Sequence, residues 1–360
     1  MHQHRNYIHE TVLKRETVES IAPCENLIKS LQKEGSHELL IVDATLGGAG
    51  HAEWLVKYFN EKRFFENWKI ILIGIDRDAF AIQASQAKFS VLNSQISNFN
   101  FHLYQENFSC VKDILKNDFS GKKVHGLYAD FGVSSPQLDD WDRGFSFLKE
   151  DPVDMRMDKR QSITAQDILL TASEGELTQL FFDYGEEPKA KKLAKFIVMD
   201  RKLGNLPLES TKELADYFKK ILAYPPNSRS HPATRAFQAL RIAVNKELES
   251  IEQLLRDIPD IVHNFGKAAF ISFHSLEDRL VKRAMRNWQK GQNAFESDKK
   301  HTHTRLPLHI QLYLEENEKK GFGKENPRGG IVPSEEESRG NPRARSARLR
   351  CFEFERQDAE

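Results

Sequence analysis

The chain has 360 residues, of which 39% are hydrophobic and 29% charged, so it can build one large or two ordinary packed domains and is not globally disordered. Lys and Arg number 53, as do Asp and Glu, so any basic surface must come from an uneven distribution of charge. The longest aliphatic run, residues 70–75, is too short for a membrane span, and the start lacks the apolar segment of a signal peptide. Three scattered cysteines argue against a disulfide framework or a zinc ribbon and favour a reducing cytoplasm.

Apolar strand runs alternate with helical patterns over the first 140 residues. The predicted strands are 39–42, 69–75, 99–104 and 124–129, followed much later by 268–273 and 349–354. Helical patterns at 51–59 and 79–89 separate the first three strands. This alternation predicts right-handed crossovers and a parallel α/β sheet.

The pattern changes after the fourth strand. Residues from about 139 to 230 are predicted to be helical, with turn-rich breaks such as 224–227. We therefore predict a core of residues 1–138 and 231–360, interrupted by an inserted all-helical domain of residues 139–230. The polar stretch 289–340 is predicted to be loop, with one short helix near 309–318.

Three acidic residues end predicted strands, and a glycine-rich turn follows the first strand. Asp43, Asp76 and Asp130 are the acids, and the turn is Gly47-Gly48-Ala49-Gly50. Ligands of open α/β sheets bind at the carboxyl ends of the strands, where the second-strand acid can hold a ribose. The alternative is that these are ordinary strand-end acids.

The ligand is not expected to be a dinucleotide. A dinucleotide fingerprint needs Gly-x-Gly-x-x-Gly, and here Glu53 stands where the third glycine would follow Gly48 and Gly50. A carboxylate at Asp43 suits a ligand with a cationic amino group and no phosphate. S-adenosylmethionine, with an ammonium, a sulfonium and a ribose, fits these features.

Longer sequence words carry a family resemblance. They include Asp43-Ala-Thr-Leu-Gly-Gly-Ala-Gly-His51, Asp130-Phe-Gly-Val-Ser-Ser-Pro-Gln-Leu-Asp-Asp140, His231-Pro-Ala-Thr-Arg-Ala-Phe-Gln-Ala-Leu-Arg-Ile242, Phe273-His-Ser-Leu-Glu-Asp-Arg279 and Asn341-Pro-Arg-Ala-Arg-Ser-Ala-Arg-Leu-Arg350. Collinear from about residue 9 to residue 350, they resemble the MraW family of ribosomal RNA methyltransferases.

The resemblance implies a fold, a reaction and partners. The fold would be α/β, a Rossmann-like class I methyltransferase core with an inserted all-helical domain. The reaction would be transfer of a methyl group from S-adenosylmethionine to N4 of a cytosine in the decoding centre of small-subunit (16S) rRNA. The partner would be that rRNA or the small ribosomal subunit, with no membrane, in the cytoplasm. The sequence leaves the oligomeric state open and allows a homodimer.

The expected donor-binding residues come from the glycine turn and the strand ends. The resemblance assigns Ala49, Gly50, His51, Asp76, Phe108, Asp130 and Gln137, and the strand-end pattern adds Asp43, Gly47 and Gly48. Ala49 replaces the family's usual glycine. If this backbone needs a positive φ, alanine is strained by roughly 1 kcal/mol.

Methyl transfer from a sulfonium is an in-line displacement that needs no metal. The difficulty lies with the acceptor, because the amino lone pair of cytosine is delocalised into its ring, so the enzyme must hold the base and accept its amino hydrogens. We expect the catalytic acceptor of the amino hydrogens to be Asp130, Ser134 or Ser135, or a backbone carbonyl of this segment. The alternative for the two serines is that they cap a turn before Pro136.

The region 231–254 is the clearest predicted helix, with an apolar core face. Its other face carries Arg235, Gln238, Arg241 and Asn245, which we expect to contact RNA, the alternative being a solvated or ion-paired face. His274 follows a strand and is expected to face the site, unless it is a buried, hydrogen-bonded histidine.

Two further local features carry predictions. Ser275 with Asp278 resembles a capping box. Local basic surfaces could contact phosphates, the alternative being that their side chains are simply solvated: Lys189, Lys191, Lys192 and Lys195 in the insert, Arg279, Lys282, Arg283 and Arg286 after the fifth strand, and Arg343, Arg345, Arg348 and Arg350 near the end.

Two other functions remain open from the residues alone. One keeps the donor but methylates DNA amino groups, which a product assay on ribosomal subunits and duplex DNA would reveal. The other is a non-catalytic RNA-binding assembly factor that keeps the fold; it would bind the donor without incorporating methyl groups.

Overall fold

The computed structural model describes residues 11–133, 143–148, 150–225, 231–295 and 321–356. Backbone contacts divide the chain into two compact units. The first comprises Met1–Asp76, Phe80–Gly132 and Ser250–Glu360, and the second comprises Arg77–Ala79 and Val133–Glu249.

The described residues form one seven-stranded sheet, which lies in the first unit. Its strands are β1 (Glu38–Asp43), β2 (Lys69–Asp76), β3 (Phe99–Gln105), β4 (Val124–Asp130), β5 (Val262–Ser272), β6 (Gly323–Glu325) and β7 (Arg348–Phe354). The strand order is β3-β2-β1-β4-β5-β7-β6, with β1 to β5 parallel and the last two pairings antiparallel. The predicted Rossmann-like core is thus confirmed, and strand order reverses between β1 and β4, where such sheets bind ligands.

Fourteen helices accompany the sheet among the described residues. They are α1 (Lys14–Ile21), α2 (Glu25–Lys33), α3 (Gly50–Glu61), α4 (Phe64–Asn67), α5 (Ala79–Gln95), α6 (Val111–Asp118), α7 (Ala165–Thr171), α8 (Glu174–Asp183), α9 (Ala190–Lys202), α10 (Thr211–Leu222), α11 (Thr234–Asn245), α12 (Glu247–Ile261), α13 (Ser275–Gln289) and α14 (Glu335–Gly340). No helix among them is long and apolar enough to cross a membrane.

The second unit has its own apolar core. The rings of Phe181 and Phe237 both pack edge-on against Phe218, at centroid distances of 6.1 and 5.9 Å. The ammonium groups of Lys189 and Lys192 donate to the last carbonyls of α10, at Leu222 and Ile221. These two lysines therefore cap a helix end, where a cation is favourable, while Lys191 and Lys195 of the same predicted basic surface are exposed.

The unit boundary differs from the predicted insert of residues 139–230. The second unit continues through Glu249, because the apolar face of α11, including Ala236, Phe237 and Leu240, is buried in the core of that unit. The segment 231–249, predicted to belong to the first unit, is thus part of the second.

Three local predictions also differ from the structure. The helix predicted over 231–254 is two helices, because Lys246 adopts a left-handed conformation (φ 50°) between α11 and α12. Strand β5 begins six residues before the predicted 268, and β6 was not predicted. The predicted short helix at 309–318 lies outside the described residues.

Candidate functional site

The glycine turn after β1 has two residues in the left-handed region and one position that is closed to side chains. Gly47 has φ 49° and Ala49 has φ 64°, and α3 begins at Gly50. A Cβ on Gly50 would lie 1.9 Å from Oγ1 of Thr11, so a side chain is excluded there. The backbone at Ala49 therefore does have a positive φ, the conformation in which alanine is strained. Its methyl group is fully buried.

Asp76 links the end of β2 to this turn. One of its carboxylate oxygens accepts a hydrogen bond of 2.7 Å from the backbone N–H of Gly47. The predicted ribose acid and the predicted donor-binding turn are thus adjacent in the structure. The bond also fixes the direction in which the turn presents its backbone.

Asp43 is the most deeply buried of the three strand-end acids, with 1% of its surface exposed. Its carboxylate accepts hydrogen bonds from the Tyr128 hydroxyl (2.9 Å) and from the backbone N–H of Thr45 (3.1 Å). Burial raises the pKa of Asp43 to about 7, with a smaller contribution from Asp76. Tyr128 was not predicted; its signal in the sequence is its position two residues before Asp130, on the same face of β4.

Asp130 ends β4 beside His51. Its backbone N–H donates to Oγ1 of Thr45 (2.6 Å), and its Oδ2 lies 3.9 Å from Nδ1 of His51. Its Oδ1 is buried and makes no hydrogen bond among the described residues. Burial raises the pKa of Asp130 well above its ordinary value, with further contributions from the charges of Asp43 and Glu277.

His51 lies between this edge and the N-terminal segment. Its Nε2 is 3.1 Å from the carbonyl oxygen of Val12, which can only accept, so Nε2 carries the hydrogen and Nδ1 is an acceptor. Burial lowers the pKa of His51 to about 4, so the ring is neutral near pH 7. His51 therefore adds no positive charge beside Asp130.

The part of the chain that the structure describes gives neither Asp43 nor Asp130 a lysine or arginine in a salt bridge. Buried carboxylates without cations are unfavourable unless they are protonated or a cationic ligand compensates them. The arrangement at this edge of the sheet is therefore suited to a positively charged ligand.

Phe108 follows β3 and lies at the same edge of the first unit. Asn107, just before it, caps the short helical turn Phe108–Cys110 by accepting from the N–H of Ser109. The Phe108 ring lies 5.8 Å from that of Phe131, which directly follows β4. Ser134, Ser135 and Gln137 lie outside the described residues.

His274 and Glu277 lie where β5 turns into α13. His274, and not the predicted Ser275, is the residue preceding the first helical turn. Glu277, fully buried, accepts from the backbone N–H groups of Phe273 (2.8 Å) and His274 (3.3 Å). Asp278 instead bonds to Arg350 (2.7 Å), so the predicted Ser275–Asp278 box does not form.

The four residues of α11 expected to contact RNA differ in their exposure and in their bonding partners within the second unit. Arg235 is exposed. Gln238 donates to the carbonyl of Tyr184 (3.0 Å), and Arg241 forms a two-pronged ion pair with Glu247 (2.9 Å for both bonds).

Asn245 has a structural role. Its amide group accepts from the N–H of Met157 and donates to the carbonyl of Met155, both at 2.7 Å. With 1% of its surface exposed, Asn245 orders the Met155–Met157 segment and is not available to RNA.

Comparison with known proteins shows the family of this chain. The model of the MraW methylase family matches residues 6–355. A Clostridioides difficile protein named "Ribosomal RNA small subunit methyltransferase H" is 38% identical over 348 residues, which is 96% of this chain and 98% of that protein. A protein of the same name from Synechococcus elongatus is 37% identical over 357 residues, which is 98% of this chain and 96% of that protein. One from a Picosynechococcus species is 37% identical over 349 residues, which is 96% of this chain and 96% of that protein. The chain, matched almost from end to end, belongs to the MraW methylase family.

Proposed function

We propose that this protein transfers a methyl group from S-adenosylmethionine to the exocyclic N4 of a cytosine in the decoding centre of small-subunit rRNA. The observation that carries the proposal is the pair of acids, buried Asp43 and half-buried Asp130, beside a glycine turn at the switch point of the sheet. Family membership and the relatives' names support rRNA as the substrate.

The donor fits the charges of this edge. Its ammonium and sulfonium supply the cations that Asp43 and Asp130 lack among the described residues. We assign Asp76 to the ribose diol, in addition to the hydrogen bond that it accepts from the Gly47 N–H. Gly48, Ala49 and Gly50 leave the turn without long side chains, and Phe108 offers an aromatic face for an adenine. When bound, the donor supplies a methyl group on a good, neutral leaving group.

The chain's own contribution is to prepare the acceptor nitrogen. We assign the end of β4, Asp130 together with Ser134 and Ser135, to accept amino hydrogens of the cytosine and so localise its lone pair. Gln137, from the same segment, is assigned to the donor. Positioning can supply up to roughly 7–11 kcal/mol, and acceptance of a proton ~10²–10⁴-fold, if the base is held outside any stack.

The second unit is proposed to hold the RNA. Exposed Arg235 is assigned as the phosphate contact. On the same helix, Gln238 is bonded to Tyr184 and Arg241 to Glu247, so these two side chains shape the surface around Arg235. A homodimer gains no support from the relatives' names.

Mass spectrometry of small-subunit rRNA from cells with and without the gene tests the function. We expect the mass of one cytosine to be about 14 Da lower when the gene is absent, because hydrogen then stands in place of the methyl group. Purified protein with labelled donor should then restore the label on small subunits or their rRNA and not on duplex DNA. An unchanged cytosine pattern would exclude the assignment.

A further inference from the structure

The basic residues predicted after the fifth strand form one exposed face of α13. Together with the residue that follows the helix, the members of this basic face are Arg279, Lys282, Arg283, Arg286 and Lys290. Steps of three or four residues place their side chains along one side of the helix. The acids of α13 lie elsewhere, because Glu277 is fully buried and Asp278 bonds to Arg350 (2.7 Å). The exposed charges of this helix are therefore positive, although the whole chain is neutral.

The spacing of these cations is unfavourable for the helix itself. Several exposed cations elsewhere in the first unit pair with an acid four residues away: Lys29 with Glu25, Lys57 with Glu61 and Arg339 with Glu335. On α13 the residue four positions after Arg279 is Arg283, and the one four positions after Lys282 is Arg286. Like charges at this spacing destabilise a helix. Local patterns that cost stability are expected at functional positions.

Three of these cations are available to a ligand. Lys282, Arg283 and Arg286 are exposed and form no salt bridge with any residue that the structure describes. The ring of Phe295 lies beneath the guanidinium groups of Arg283 (5.7 Å) and of Arg256 from α12 (4.9 Å). A guanidinium stacked on a ring keeps its N–H groups available and loses less freedom when it binds an anion.

The predicted basic group near the end of the chain is different. Arg350 is buried and bonds to Asp278 and to Glu325 (2.6 Å). The side chain of Arg348 donates to the carbonyl of Gly329 (2.6 Å). These arginines hold parts of the fold together, whereas the cations of α13 are directed to solvent.

The basic face of α13 begins at the edge of the sheet that carries the candidate donor site. Strand β5 ends at Ser272 and α13 begins at Ser275. Because β5 pairs with β4 with Ile271 opposite Asp130, this helix starts at the same edge as Asp130. From there α13 runs roughly 16 Å to Arg286. An RNA strand that places a base at this edge can continue along the helix.

We propose that the basic face of α13 binds the sugar–phosphate backbone of small-subunit rRNA that flanks the target cytosine. The inference rests on the proposed function and adds the surface that the flanking RNA contacts. Lys282, Arg283 and Arg286 contact phosphates, and such contacts position the RNA without reading its sequence.

The salt dependence of RNA binding tests this surface. Each phosphate contact contributes about −0.7 for single-stranded and about −0.9 for double-stranded nucleic acid to the slope of log affinity against log salt concentration. In the triple variant Lys282→Gln, Arg283→Gln and Arg286→Gln, the slope measured with naked small-subunit rRNA should become shallower by about 2 to 3. Affinity at about 0.15 M salt should fall at least about tenfold.

Kinetics and melting separate this role from chemistry and from folding. Contacts to flanking RNA are the same before and during methyl transfer, so KM for RNA should rise in the triple variant. Its kcat at saturating RNA and its Kd for S-adenosylmethionine should each change less than about threefold. Its melting temperature should be equal to or higher than that of the wild type, because the substitutions remove repulsion between like charges.

A second triple variant is the matched control. Lys29→Gln, Lys57→Gln and Arg339→Gln remove the same number of exposed positive charges from other helices of the first unit, where each cation has an acidic partner. We expect the salt slope of this control to differ from that of the wild type by less than about 1.

Two results would overturn this inference alone. One is an unchanged salt slope in the α13 variant, or an equal change in the control. The other is a loss of binding to assembled small subunits with normal binding to naked rRNA, which would indicate that the partner of this face is a ribosomal protein. A wild type that methylates no rRNA would overturn the proposed function and, with it, the inference.

Discussion

Asp154 of the second unit and Asp43 of the first unit are compensated in opposite ways. In the second unit Asp154 is held by Arg156 through bonds of 2.7 and 2.8 Å; burial raises the pKa of Asp154, but these bonds outweigh it and the pKa ends below its ordinary value. In the first unit Asp43 has only a hydroxyl and a backbone N–H, and burial raises its pKa to about 7.

The difference between these two carboxylates indicates whether each one serves the fold or a ligand. A carboxylate with an arginine partner stabilises the fold and has little left to offer a ligand. A buried carboxylate without a cation destabilises the empty fold and strengthens the binding of a cation. Asp43 of the first unit is therefore placed for binding, and Asp154 of the second unit for structure.

Arg143→Ala should show the largest effect, because it removes the cation from a buried pair. Arg143 and Asp78, both of the second unit, lie 3.0 Å apart, with side chains only 6% and 11% exposed. The remaining buried carboxylate should lower the free energy of unfolding by about 3–5 kcal/mol in urea denaturation. Arg160→Ala, from a pair with an arginine that is 54% exposed, is the control and should change it by less than about 1 kcal/mol. A loss below about 1 kcal/mol for Arg143→Ala would contradict the comparison.

Asp76→Ala tests the binding side of the comparison. Loss of a charged hydrogen-bond acceptor for the ribose, and of the bond to Gly47, should weaken donor binding about 10- to 100-fold in calorimetry. Asp76→Asn keeps an acceptor for the Gly47 N–H and should lose less. Equal donor affinity in the wild type and Asp76→Ala would remove the ribose assignment.

Asp43→Asn sharpens the comparison through pH. The pKa of Asp43 is raised to about 7 in the folded protein, so its contribution to stability is complete below its ordinary pKa and is lost as pH rises through 7. Asparagine has no such loss, so the stability of Asp43→Asn relative to the wild type should rise by on the order of 4 kcal/mol between pH 4 and pH 8. Urea midpoints across this range measure it, and a constant difference would show that Asp43 is not protonated in the empty fold.

Ala49→Gly should have the smallest effect. Glycine relieves the strain of φ 64°, while the loss of a fully buried methyl group opposes that gain. We expect the free energy of unfolding to rise by less than about 1 kcal/mol. A decrease, measured by the same denaturation, would mean that the packing of the methyl group outweighs the backbone strain.

The sheet and the acids at its edge were predictable because they follow periodic patterns. The strands β1 and β2 contain continuous apolar runs, and Asp43, Asp76 and Asp130 end β1, β2 and β4 in the structure as predicted. Such buried parallel strands leave a strong signal in the sequence.

What escaped prediction depends on tertiary contacts. No local sequence pattern predicts that Lys246 adopts the left-handed conformation that ends α11. At this helix end the Asn245 amide bonds to the backbone of Met155 and Met157, which are distant in sequence. Likewise Ser275 is the better cap by local preference, and the helix starts after His274 because Glu277 binds the backbone before it.

The contact of Thr11 and Val12 with the glycine turn has a practical consequence. The segment that supplies the acceptor for His51 is also tied to the far end of the chain, since the Leu13 N–H donates to Glu337 (2.7 Å). Trimming the protein past Thr11, or fusing a bulky tag close to it, should disturb donor uptake without touching any residue of the turn. Purification handles are therefore best attached to the other terminus.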